Sequence, residues 1–103
     1  MIADTPAPPY YAVIFTSQRS DETEGYEAMA ERMVALARQQ PGFLGMETAH
    51  TEIGLTISYW ESLQAIQEWK ADLEHRDAQR LGREKWYAHY RVRITRVERE
   101  YGK

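Results

Sequence analysis

The sequence predicts an α+β domain with the element order βαββαβ. Two stretches with apolar residues at spacings of three and four are interleaved with four segments rich in alternating or β-favouring residues. A chain of 103 residues is one domain on size grounds. The order is that of the ferredoxin-like split βαβ arrangement, in which a four-stranded antiparallel sheet carries both helices on one face.

The N-terminal segment separates a tail from the first strand. Residues 1–9 contain Pro6, Pro8 and Pro9 among small residues, a composition that favours extended, solvated backbone. We therefore expect a flexible tail over residues 1–9 and a single domain over residues 10–103. The first predicted strand, residues 10–16 (YYAVIFT), is largely apolar on both faces, so both faces should be covered.

The first helix is predicted over about residues 25–39. Its apolar stripe consists of Tyr26, Met29, Met33, Leu36 and Ala37. Asp21 and Glu24 are expected to form a capping box at its start. The helix should end at Pro41-Gly42, because proline lacks an amide hydrogen and glycine accepts conformations closed to other residues.

The second half of the domain is predicted as a hairpin, a helix and a strand. Residues 43–51 and 55–60 form the hairpin strands, and the second helix begins at Leu63 with Ser62 as its N-cap. This helix should weaken near residues 72–74 and resume from His75 to about Arg83. Residues 87–97 form the fourth strand.

Three short segments carry a family resemblance. They are the turn Pro41-Gly42-Phe43-Leu44-Gly45, the strand end Tyr59-Trp60-Glu61-Ser62, and the helix start from Leu63 to Trp69. In this order they resemble the antibiotic biosynthesis monooxygenase (ABM) family, over roughly residues 10–100. The resemblance implies the ferredoxin-like fold and a homodimer whose sheets pack face to face. The apolar first strand is an independent reason to expect that dimer.

Charge and composition limit the partners. The net charge is −3, but residues 1–75 hold 4 Lys and Arg against 12 Asp and Glu, whereas residues 76–103 hold 9 against 4. The C-terminal arginines alternate with Val92, Ile94 and Val97, as in a strand, so we predict no nucleic-acid partner. The absence of a long apolar run and of a signal-peptide pattern predicts no membrane association and a cytoplasmic location. Zero cysteines exclude disulfides and thiolate chemistry.

The histidines are the candidate titrating groups. The sequence has no Gly-rich phosphate loop, HExxH motif or Ser-His-Asp arrangement, and we predict neither a metal site nor a cofactor. His75 is the predicted catalytic base, because it stands at the expected helix interruption and imidazole titrates near neutral pH. We expect it to share a pocket with Trp69. His50 is expected at the surface and His89 in a packing or interface role.

An aromatic set is predicted to bind a planar ligand. Indole and phenol rings offer rigid apolar walls with one polar group each, although aromatic residues at such spacings also form cores. Arg83 and Lys85 precede Trp86 and Tyr87, where they would bind an anionic group or remain solvated. The predicted substrate-binding residues are Trp60, Trp69, Trp86, Tyr59, Tyr90 and Arg83; Tyr87 belongs to the same aromatic set.

The resemblance implies two activities. Like the polyketide-modifying members, the protein would deprotonate a small aromatic or quinol-like substrate whose carbanion reduces O2 without metal or flavin, and this is the predicted function. The haem-degrading members use a helix histidine, a tryptophan and an asparagine. Trp69 matches the tryptophan, but Gln79 and Phe15 occupy the other two positions, so haem degradation is not expected and haem binding stays open. A non-catalytic dimeric ligand-binding or stress-associated protein is the third alternative.

Overall fold

The computed structural model describes residues 1–74 and 84–103. Its elements are β1 (Tyr10–Arg19), α1 (Tyr26–Arg38), β2 (Phe43–His50), β3 (Gly54–Trp60), α2 (Leu63–Glu74) and β4 (Tyr87–Val97). The predicted order is confirmed. β1 runs three residues further than expected, because its last residues continue to pair with β4. The predicted continuation of the second helix lies outside the described residues. In the described part, no helix is both long and apolar enough to span a membrane.

The four strands form one antiparallel sheet in the order β2-β3-β1-β4. This is the ferredoxin-like topology that the sequence predicts. Partners across an antiparallel pair point to the same side, and successive residues alternate. We call the side that carries Tyr11, Val13 and Phe15 the inner face. The opposite side, which carries Tyr10 and Ala12, is the outer face.

The core lies between the inner face and α2. Trp60 is completely buried and packs with Ala65 and Ile66, and its indole N–H donates to Ser58 Oγ at 2.9 Å. The first helix lies on the same side, since Tyr26 contacts Tyr87, whose ring packs on the inner-face residue Phe15. Both helices therefore cover one face of the sheet, as predicted.

The two helix starts differ in how they are capped. The Ala65 N–H donates to Ser62 Oγ at 3.0 Å, so the predicted N-cap of α2 is confirmed. The capping box predicted from Asp21 and Glu24 is wrong, because Gly25 occupies the N-cap position of α1 with φ 83° and no side chain caps this helix. The indole N–H of Trp86 donates to the Glu24 carbonyl at 2.8 Å, which holds this loop in the left-handed turn that glycine accepts most readily.

The Pro41-Gly42-Phe43 turn joins the two halves of the fold. Gly42 has φ 85°, and its carbonyl accepts the Glu61 N–H at 2.9 Å. A Cβ at Gly42 would lie 2.7 Å from the Cβ of Ala65. The Phe43 ring packs edge-on against Trp60 at 5.4 Å between centroids. The turn is therefore a packing element that closes the core against the start of α2.

Both chain ends contact the outer face. The Ala3 N–H donates to Glu47 Oε2 at 3.0 Å, and the hydroxyls of Thr5 and Tyr10 donate to Glu100 Oε2 at 2.9 and 2.6 Å. Flexibility of residues 1–9 stays a prediction, but these contacts give the tail defined partners on the sheet.

Candidate functional site

An apolar strip on the inner face remains open beside β4. Ile94 pairs with Val13, Val92 with Phe15, and Tyr90 with Ser17, so their side chains share the inner face. Tyr90, Val92 and Ile94 are 37%, 48% and 50% exposed. Contiguous exposed apolar surface on a small protein marks an interaction or ligand site. We call Val13, Phe15, Tyr90, Val92 and Ile94 the inner-face strip.

A β-bulge brings two tyrosines to one end of this strip. His89 pairs with Gln18 and Tyr87 with Arg19, so Ala88 is an extra residue in β4. The insertion places Tyr87 and Tyr90 on the same side although they are three residues apart. Their ring centroids lie 5.3 and 5.7 Å from that of Phe15. Bulges often re-aim side chains beside active sites, and this one builds an aromatic cluster at the end of the strip.

The cluster continues onto α1 and ends at a cation. The Tyr26 ring lies 6.0 Å from Tyr87, and the Arg19 guanidinium carbon lies 3.3 Å from the Tyr26 ring centroid. Burial raises the pKa of Tyr87, and its hydrogen bond with Tyr26 raises it further. Tyr87 is therefore a neutral phenol at physiological pH, and its hydroxyl remains a hydrogen-bonding group.

The structure brings together two of the predicted ligand-binding residues, Trp60 and Trp69. Their rings stack at 5.9 Å with an angle of 27° between planes. Trp69 is half-buried, whereas Trp60 has no exposed surface and its N–H is already bonded to Ser58. Ligand contact by Trp60 stays a prediction, and it would require the side chains over it to move.

Tyr59 lies on the other side of the sheet. Its hydroxyl donates to Glu47 Oε1 at 2.7 Å, and its ring packs edge-on against Tyr10 at 5.8 Å. Burial and the Glu47 carboxylate raise the pKa of Tyr59 to about 12. The hydrogen bonds from Tyr59 and Ala3 lower the pKa of Glu47. The sheet thus separates Tyr59 from Trp69 and Tyr90, and the predicted aromatic set divides into groups on two faces.

Of the remaining predicted site residues, Trp86 and Tyr90 lie in the described part of the chain, whereas His75 and Arg83 do not. Trp86 is buried and contacts Tyr26 at 6.2 Å between centroids, which places it at the α1 end of the aromatic cluster. Tyr90 belongs to the inner-face strip. The predicted base His75 and the predicted anion-binding residue Arg83 lie outside the described residues, as does Gln79.

The other two histidines are at the surface. His50 is exposed at the end of β2, as expected. His89 is exposed and lines a shallow hollow of about 320 Å³. The other lining residues are Glu84, Tyr87, Ala88 and Tyr90. Within residues 1–74 and 84–103, no group of three or more His, Asp or Glu is placed to hold a metal ion.

Three residues of the aromatic cluster were not predicted as site residues. The sequence marks Phe15 only as a departure from the haem-degrading pattern and Tyr26 only as part of a helix stripe, and it predicts no role for Arg19. Strand alternation places Phe15 on the same face as Val13, which was an available signal. No sequence signal marks Ala88 as the extra residue of the bulge, and the bulge decides where Tyr87 points.

Comparison with known proteins identifies relatives over most of the chain. The sequence model described as antibiotic biosynthesis monooxygenase matches residues 9–81. The uncharacterized protein YqjZ of Bacillus subtilis (strain 168) is 48% identical over 101 residues, which cover 96% of this chain and 89% of YqjZ.

Two solved structures have similar folds. SnoaB from Streptomyces nogalater, described as a cofactor-independent oxygenase, has in a point-mutant form a TM-score of 0.73 at 15% identity, covering 91% of this chain and 98% of SnoaB. Rv0793 from Mycobacterium tuberculosis has a TM-score of 0.69 at 15% identity, covering 90% of this chain and 97% of Rv0793. At these identities the structures support the fold, and the sequence match supports the family. The chain belongs to the antibiotic biosynthesis monooxygenase family.

Proposed function

We propose that the protein is a monooxygenase that oxidises a small aromatic or quinol-like substrate with O2, without a metal or flavin. The observation that carries this proposal is the exposed inner-face strip, which ends in the Phe15, Tyr87 and Tyr90 cluster. A planar ring would cover the apolar side chains of the strip and contact rings at its end. The absence of a cofactor is proposed from the resemblance to the oxygenase SnoaB.

The chemistry requires only a base, a dry site and hydrogen-bond donors. A base removes a proton from a phenolic or enolic substrate, and the resulting carbanion gives one electron to O2. The substrate radical and superoxide combine to form a C–O bond, and the peroxide anion takes up a proton. Loss of water then leaves a carbonyl group. One oxygen atom of O2 enters the product and the other leaves as water, and the substrate supplies all the electrons.

The residues near the strip suit parts of this scheme. The Tyr87 hydroxyl is neutral, since burial and the hydrogen bond with Tyr26 raise its pKa, and we propose that it turns from Tyr26 to donate to a developing oxyanion. Phe15 and Val92 exclude water from the bound ring. Trp69 is proposed as a further wall and His75 as the base, the latter from its residue type and sequence position alone.

The proposal is tested by placing a charge on the strip. Val92→Lys puts an ammonium group where the substrate ring would lie, and burying an unpaired charge is costly. We expect kcat/KM for anthrone oxidation, followed by O2 uptake, to fall by at least about tenfold. The control is Thr51→Lys, which changes an exposed β-branched residue in the β2–β3 turn. Equal activity in the two variants would contradict a substrate site on the strip.

The same preparation distinguishes the alternatives considered from the sequence. A non-catalytic ligand-binding protein would bind the anthrone without consuming O2. A haem-binding protein would give a Soret band on titration with haemin. In either case we expect no haem cleavage products with haemin and a reductant, because Phe15 contributes a ring to the cluster where the haem-degrading members have an asparagine.

The outer face is the proposed homodimer interface. Ile14 and Ile57 are half-buried and Leu55 is 38% exposed on this face, and both helices lie on the other side of the sheet. A second copy packed face to face would cover these side chains. A cytoplasmic location likewise stays a proposal.

A further inference from the structure

Arg19 is held beside the aromatic cluster, and no carboxylate of the described residues pairs with it. It is the last residue of β1, its side chain is exposed, and its guanidinium carbon lies 3.3 Å from the Tyr26 ring centroid. Stacking on an aromatic face fixes the plane of the guanidinium group and leaves its N–H groups pointing outward along its edges. Within residues 1–74 and 84–103, no carboxylate forms an ion pair with Arg19.

A series of contacts connects Arg19 to the inner-face strip. Arg19 pairs with Tyr87 across the bulged end of β1 and β4. The Tyr87 ring contacts Tyr26 on one side, at 6.0 Å, and Phe15 on the other, at 5.3 Å. A planar ligand on the strip would therefore have one end near Tyr87 and close to the guanidinium group.

We infer that Arg19 selects, among the substrates of the proposed function, planar aromatic compounds that carry a carboxylate at the end nearest Tyr87. The guanidinium group offers several N–H donors in a fixed fork, which matches the two oxygens of a carboxylate. This inference rests on the proposed function for the position of the ring on the strip. It adds the class of substituent and the residue that recognises it.

The purely structural alternative is that Arg19 only packs on Tyr26. In that case replacing Arg19 would change the stability of the loop before α1 and would affect charged and neutral ligands alike. Selection of a carboxylate instead requires a ligand preference that depends on the charge of residue 19. The two roles are separated by comparing two ligands of similar shape.

The probes are 2-naphthoate and its neutral methyl ester, with binding measured by isothermal titration calorimetry under anaerobic conditions. We expect the wild-type protein to bind the carboxylate about fivefold more tightly, the upper range for an exposed ion pair. Arg19→Met and Arg19→Gln should both abolish the preference and leave the affinity for the ester unchanged. Arg32→Met, which removes an exposed arginine from α1, is the control and should behave like wild type.

Three outcomes would overturn the inference. They are equal affinity of the wild type for both probes, a preference that survives in both Arg19 variants, and no binding of either probe by wild type. The oxygenase proposal fails separately, because it concerns O2 uptake and the calorimetry requires no turnover. A carboxylate preference without O2 uptake would retain the role of Arg19 and reject the oxygenase. O2 uptake without the carboxylate preference would retain the oxygenase and reject the role of Arg19.

Discussion

Gly42→Ala should destabilise the fold more than the addition of one methyl group would suggest. Gly42 has φ 85°, and a left-handed conformation costs a non-glycine residue about 1–2 kcal/mol. The new Cβ would also lie 2.7 Å from the Ala65 Cβ and 3.0 Å from the Glu61 Cγ, so the start of α2 must shift. Overpacking of this kind costs about 1–3 kcal/mol. The expected total is about 2–5 kcal/mol in the free energy of unfolding.

A second glycine separates the two contributions. Gly25 has φ 83°, almost the same as Gly42, but among the described residues a Cβ there would meet only the edge of the Trp86 ring, at 3.2 Å. Gly25→Ala therefore carries the same backbone cost with a milder contact. Gly102→Ala has neither cost, because no atom of residues 1–74 or 84–103 lies within 4 Å of its Cβ position and its φ is not positive.

Urea unfolding followed by tryptophan fluorescence measures all three variants. We expect Gly42→Ala to be less stable than Gly25→Ala by about 1–3 kcal/mol, and Gly102→Ala to match wild type. If Gly42→Ala is as stable as Gly25→Ala, the turn does not pack against α2 as described. If Gly42→Ala matches wild type, the left-handed backbone is also refuted.

Three further predictions concern assembly, pH and the base. Light scattering at micromolar concentration should give the mass of a dimer, and a monomeric mass would reject the sheet-to-sheet interface. Because the pKa of Glu47 is lowered by folding, its carboxylate stabilises the fold above the unfolded pKa of about 4.3. This stabilisation is lost as pH falls through the pKa of the folded state. Because the pKa of Tyr59 is raised by folding, its neutral phenol stabilises the fold below about pH 10. This stabilisation is lost as pH rises toward about 12. Between about pH 10 and 12, the melting temperature of Tyr59→Phe should therefore fall less with rising pH than that of wild type. Equal dependence of the two melting temperatures on pH would contradict the Tyr59–Glu47 contact. His75→Ala should lower kcat on the order of 100-fold with an unchanged melting temperature, and full activity would remove His75 from the site.

Periodicity was sufficient to predict the elements of the fold. Alternation gave β4 its observed bounds, and the apolar spacing with Ser62 gave the start of α2. These features depend on neighbouring residues, so one sequence contains them. The capping box failed because the start of α1 is fixed by Trp86, which is 62 residues from its partner Glu24. A contact of that separation leaves no local pattern.

The candidate site was only partly predictable. Strand alternation places Tyr59 and Trp60 on opposite sides of the sheet, so the signal that divides the predicted aromatic set is present in the sequence. The position of Tyr87 beside Phe15 depends on the bulge at Ala88 and on the register with β1. Register is a property of two strands together, so the aromatic cluster could be recognised only in the folded chain.

The outer face shows the same limit for the chain ends. A proline-rich composition predicts an extended backbone, but it does not show what that backbone contacts. Ala3 bonds Glu47 on β2, and Thr5 bonds Glu100 beyond the end of β4; these carboxylates are 44 and 95 residues away. Their hydrogen bonds follow from the position of the tail on the folded sheet.

The central claim is that the protein itself catalyses oxygen insertion. The most direct measurement is the molecular mass, by mass spectrometry, of the product formed from an anthrone under ¹⁸O2. The protein is first dialysed against a chelator, and no flavin is added. We predict one labelled oxygen atom per product molecule, one O2 consumed per substrate, and a rate proportional to protein concentration. A product that carries no label, or a rate equal to that of the buffer alone, would contradict the account.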